Sequence, residues 1–71
     1  MNITYQNITS TSIDRFEKPP VEALAHIREI IKKHKSWLFL GGEHFANPDE
    51  LSEAHLENAA WVVLQHTLLG G

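Results

Sequence analysis

The sequence predicts a mainly α-helical fold: an antiparallel helical hairpin, residues 20–40 and 48–69, with an extended N-terminal arm and dimerisation into a four-helix arrangement. Three observations carry that expectation. Leu24, Ile27, Ile31, His34 and Leu38 recur at intervals of three and four, the spacing of one helix face. Asn47-Pro48-Asp49-Glu50 reads as a helix start, with an N-cap, a proline at the first helical position and acids at the positive end of the dipole. Both segments end in Leu-Gly-Gly, at 40–42 and 69–71, and glycine suits the left-handed residue that closes a helix.

Residues 1–18 are rich in Thr, Ser, Asn and Ile, with Ile3 and Tyr5 alternating against polar neighbours, so they read as an extended arm or short strand. Pro19 and Pro20 end the arm and permit a helix to start. The first helix carries Glu22, Glu29, Lys32 and Lys33 opposite its apolar side. Residues 41–47 form a loop, and the second helix runs from Pro48 to about Leu69. At 1.5 Å per residue the rods measure roughly 31 and 33 Å, a matched pair. Folding at the loop sets Lys32, Lys33 and Lys35 level with Glu50, Glu53 and Glu57. The alternative class is a small α+β unit in which residues 37–40 and the arm pair as strands.

With 71 residues the chain is a single domain, residues 1–71, and its core contributes roughly 3 to 5 kcal/mol. The absence of cysteine removes disulfides, thiolate metal sites and thiol nucleophiles, leaving assembly or histidine and carboxylate ligation as supplements. Along the second helix Leu56, Ala60 and Val63 share one side, Ala54, Trp61, Leu64 and Leu68 another, and Leu51, Val62 and Leu69 a third. A helix apolar nearly all round is buried nearly all round, which predicts a homodimer. No basic, apolar signal segment opens the sequence, and the apolar runs 37–40 and 59–64 are too short to cross a bilayer. The expectation is a cytoplasmic protein without membrane contact. Asn2-Ile3-Thr4 and Asn7-Ile8-Thr9 match the glycosylation pattern but read as strand formers.

A net charge of -3 argues against a nucleic-acid partner, and Lys32-Lys33-His34-Lys35 reads as a solvated helix end. Protonating all five histidines would bring the formal charge to +2. Glu43-His44 sets an acid beside a base on a turn, without a third catalytic element, and reads as a polar corner. In the hairpin His34 falls level with His55 and His26 with His66, yet no Glu-x-x-His or His-Glu-x-x-His motif gathers them. Gly70-Gly71 invites comparison with ubiquitin-like modifiers and sulfur carriers, whose bare glycines thread into an activating enzyme. Their several strands around one helix conflict with the helix that Asn47 caps, so the pair reads as a helix terminator.

The functional expectation is a small non-enzymatic protein-interaction module, an adaptor or inhibitor of the kind carried by bacteria and phages, acting through an apolar helical surface. Trp37, Phe39, Trp61, Leu64 and Leu68 are its interface residues, since aromatic anchors dominate such surfaces. No residue is given a catalytic, cofactor-binding or metal-binding role. The partners are a second copy and another protein. The alternative is a histidine-based metal-binding protein or small hydrolase centred on His44, or on His34 with His55.

Overall fold

The computed structural model describes residues 2–66. It is an α+β fold, a five-stranded mixed sheet with one long helix across it, and not a helical hairpin. In chain order the elements are β1 (Ile3–Ile8), β2 (Ile13–Lys18), α1 (Pro20–His34), β3 (Trp37–Leu40), β4 (Glu43–Phe45), a 3-10 turn (Pro48–Glu50), α2 (Glu53–Asn58) and β5 (Val62–Gln65). The strands lie in the order β2-β1-β5-β3-β4. All neighbours are antiparallel except β1 and β5, which run parallel in the middle of the sheet.

The expected N-terminal arm is a β-hairpin. Its turn is held by Thr9, whose amide donates to the Ser12 carbonyl at 2.9 Å and whose Oγ1 accepts from the Ser12 amide at 3.1 Å. The first helix starts where the prolines place it, but it stops at His34 and not at Leu40. Lys35 takes the left-handed conformation, φ 53°, and its amide donates to the Ile31 carbonyl at 2.8 Å. Trp37 to Leu40 then extend as β3, as a short aromatic and apolar run can. Gly41 and Gly42 do not close a helix. Their φ values of 58° and 93° make the two-residue turn of a β-hairpin, whose primed geometry matches the strand twist.

The expected second helix breaks into three pieces. Asn47 does cap: its Oδ1 accepts from the Asp49 amide at 3.1 Å and its Nδ2 donates to Glu50 at 3.2 Å. What it caps is only the 3-10 turn, because Leu51 and Ser52 return to extended backbone. Ser52 opens the six-residue α2, and Ala59 ends it in extended conformation. The apolar run after it is β5, the strand between β1 and β3. β1 and β3 flank this run and the core takes Val62 and Leu64, so among the described residues there is no helix apolar nearly all round of the kind on which the four-helix dimer was argued. Leu68 and Leu69, assigned to the second helix by sequence, lie outside the described residues.

The core sits between α1 and one face of the sheet. Ala23, Ile27 and Ile30 of α1 meet Ile3 and Tyr5 of β1, Leu38 of β3 and Val62 and Leu64 of β5, with Leu51 and Leu56 closing one end. Arg28 ties that end down, donating from Nη2 to the Leu51 carbonyl at 2.7 Å. No helix among the described residues is long and apolar enough to cross a membrane.

Candidate functional site

Alternation along the strands sends every second residue away from α1. Register fixes which ones share that outer face: Phe39 lies opposite Val63 and His44, Trp37 opposite Gln65, Val63 opposite Gln6, Gln6 opposite Arg15, and Ile8 opposite Ile13. The face is aromatic on the β3 and β4 side, while its central strands present Thr4, Gln6 and Gln65 beside Ile8 and Val63. Ile13, Val21, Trp37 and Trp61 are the exposed large hydrophobic residues among those described, and all but Val21 belong to this face. Clustering on one surface, rather than scattering, is what distinguishes an interaction patch from ordinary surface composition.

Its densest part is a trio of rings on β3 and β4. The Trp37 and His44 ring centroids are 5.3 Å apart, Phe39 and His44 5.5 Å, and Trp37 and Phe39 6.4 Å. Trp37 is 53 % exposed, so the cluster is a surface feature and not a core extension. Trp61, 49 % exposed, stands just before β5. Its carbonyl accepts from the Gly41 amide at 2.8 Å, and a Cβ on Gly42 would meet its ring at 3.7 Å, so the β3–β4 turn fixes its place. Beside Trp61 a depression of about 390 Å³ opens among Thr4, Gln6, Arg15 and Val63. This surface combines aromatic anchors with one guanidinium, the residue types that carry binding energy at protein interfaces.

The sequence-based interface residues fall in three places. Trp37, Phe39 and Trp61 come together on the outer face. Leu64 has no exposed surface and supports the sheet from the core side. Leu68 lies outside the described residues. The apolar surface expected on helices is therefore on a sheet. Sequence reasoning missed His44, Val63 and Arg15, which join the face only through strand register. No signal within a single strand of the sequence points to all three, because Arg15, Val63 and His44 lie on three different strands.

The histidines are dispersed differently from the hairpin pairing. His26 lies against Tyr5 and Phe16, with its Nδ1 hydrogen-bonded to the Tyr5 hydroxyl. Burial pushes that phenol up to about 12. His55 packs on Phe45 with ring centroids 4.9 Å apart, and His34 lies beside His66 and not beside His55. Glu43 and His44 are neighbours on β4, and the His44 ring belongs to the aromatic trio. Among the described residues no three His, Cys, Asp or Glu side chains gather in a group able to hold a metal. Comparison with protein-family models, curated proteins and solved structures finds no match.

Proposed function

We propose that this chain is a protein-interaction module of the ubiquitin-like kind, a small folded body recognised through its outer sheet face and joined to other molecules through Gly70-Gly71 when Gly71 is terminal. The observation that carries this reading is the sheet itself. Several strands around one helix are the architecture that Gly-Gly modifiers and sulfur carriers share, and the long capped helix that argued against it is absent. Gly70 follows the last residue of β5 by five positions in the sequence. Two residues without side chains let a backbone enter a narrow channel, so an activating enzyme can reach a glycine carboxylate that a bulkier residue would shield. That carboxylate is free only when Gly71 is terminal, as encoded or after cleavage of a longer chain. An activating enzyme joins this carboxylate to a nucleotide phosphate, and attack by an amine, a thiol or sulfide on the resulting acyl phosphate then expels the nucleotide as the acyl group is transferred.

The outer face supports the reading from the other side. A partner must recognise the folded body, and Trp37, Phe39, His44 and Trp61 offer aromatic contacts whose burial on binding is favourable. The test is mass spectrometry of the N-terminally tagged chain recovered from its native host. The expected finding is a Gly71 carboxylate present as an isopeptide, a thioester or a thiocarboxylate, lost on Gly71→Glu. A chain recovered only with an underivatised tail, under conditions where the protein is expressed and folded, would overturn the proposal.

A further inference from the structure

One edge of the sheet is β2, and the strand at the other edge, β4, is only three residues long. The six residues Ile13–Lys18 pair with β1 without a break in register, and no proline interrupts them. Proteins usually blunt such an edge with a proline, a bulge or a charge, because its open main-chain groups can add another strand. Which groups are open follows from the hairpin. The Thr9 amide donates to the Ser12 carbonyl, so alternation turns the amides and carbonyls of Asp14, Phe16 and Lys18 toward β1 and those of Ile13, Arg15 and Glu17 outward. Ile8, opposite Ile13, correspondingly points its carbonyl away from β2, accepting from the His66 amide at 2.8 Å. The side chains alternate as well. Asp14, Phe16 and Lys18 lie on the α1 side, opposite Asn7, Tyr5 and Ile3, while Ile13, Arg15 and Glu17 lie on the outer face.

We infer that β2 pairs antiparallel with β2 of a second copy across a twofold axis at Phe16, joining two five-stranded sheets into one. The charges select this partner and this register. Only Ile13, Arg15 and Glu17 offer open main-chain groups, so odd-numbered residues must face odd-numbered ones and the axis falls on a residue. An axis at Asp14, Arg15, Glu17 or Lys18 sets that charge against itself. An axis at Phe16 sets Asp14 against Lys18 and Arg15 against Glu17, each pair formed twice, and no like charges stand opposite each other. Charges that guard the edge against other strands therefore fit this one. Arg15 and Glu17 also exchange main-chain hydrogen bonds in this register. Phe16 meets Phe16 of the second copy at a non-hydrogen-bonded position, where side chains come closest, and Ile13, 64 % exposed, meets Pro19. On the α1 side Phe16 borders a depression of about 400 Å³ with Lys18, Glu22, Ala25, His26 and Glu29, which the second ring can enter. Like faces join like faces, so both outer faces stay uncovered on one side of the joined sheet, and the pairing does not depend on the role proposed for them.

Sedimentation equilibrium of the untagged full chain and of charge-reversed variants tests the pairing. The parent is expected to dimerise, with amide exchange slowing at Arg15 and Glu17 as concentration rises. Arg15→Glu and Glu17→Arg each create two like-charge pairs and are expected to weaken the dimer at least tenfold. Mixed in equal amounts the two variants restore it, because each then meets opposite charges. Arg15→Glu/Glu17→Arg exchanges the two charges and dimerises as the parent does. Both residues are exposed, so the variants keep the fold, which the amide spectrum verifies. A parent chain that stays monomeric up to about 1 mM, as it would if a segment of a different protein took the edge, would overturn the inference. So would a dimer that survives the single reversals, or a mixture that does not recover it.

Discussion

Phe39 and Val63 face each other across β3 and β5 on the side of the sheet that α1 leaves uncovered. One position away in each strand, Leu38 and Leu64 face each other inside the core. Adjacent residues of one strand therefore have opposite roles, and truncation separates them. Leu64→Ala removes a side chain with no exposed surface and is expected to cost about 2–5 kcal/mol. For a domain of this size that is on the order of its entire stability. Phe39→Ala, on a half-buried site, is expected to cost about 1 kcal/mol or less. Urea unfolding of both variants measures the difference, and equal losses would contradict the assignment of faces.

The cap of α2 makes a second prediction. The Ser52 amide donates to Nδ1 of His55 at 3.0 Å, so an imidazole takes the place that Glu or Gln holds in the usual capping box. His55→Gln preserves the acceptor but gives up the ring contact with Phe45, so it is expected to lose less stability than alanine does. His55→Ala removes both the acceptor and the packing on Phe45, with an expected loss of about 1 kcal/mol. Faster amide exchange through Glu53–Asn58 in the alanine variant alone would identify the cap as the cause.

Tyr5 gives the fold an alkaline limit. Its phenol is raised from 10.0 to about 12 by burial, so the unfolded chain ionises first as pH rises. The stability it contributes is complete below pH 10 and disappears as pH climbs from 10 through about 12. Tyr5→Phe should abolish that part of the decline while giving up the hydrogen bond to His26. Melting temperatures of the two proteins across this window provide the comparison; parallel declines would refute the role of Tyr5.

The turn between β3 and β4 constrains substitution at two adjacent residues. Gly41 and Gly42 both have positive φ, and no side chain blocks the space a Cβ would take, so the restriction is conformational rather than steric packing. Valine at either position is expected to cost roughly 1–2 kcal/mol, and Asn at Gly41 to be tolerated better. A loss at Gly42 should also move the Trp61 fluorescence, since the turn lies against its ring.

Much of the local chemistry was legible in the sequence, while its assembly was not. The prolines at 19 and 20, the apolar face of α1 and the cap at Asn47 all correspond to structure. The misreading came from extending each signal too far. A cap at Asn47 does not say how long the helix it starts will be, and Leu51-Ser52 ends it after one turn. Leu-Gly-Gly is both a helix stop and a hairpin turn, and between apolar runs the two glycines of Leu40-Gly41-Gly42-Glu43 favour the hairpin. The run at 59–64 is too apolar for any exposed helix. A central strand of a half-covered sheet meets the same demand, and only its long-range pairing with β1 distinguishes the two. The outer face depends on that pairing, so most of the candidate site was hidden with it.

In the proposed function the aromatic sheet face and Gly70-Gly71 serve one role. It is tested most directly by quantifying the derivatised Gly71 carboxylate, by mass spectrometry from the native host, in the parent chain and in Trp37→Ala/Phe39→Ala with a native amide spectrum. The folded variant is expected to lose most of the derivative. A variant derivatised as fully as the parent would contradict it.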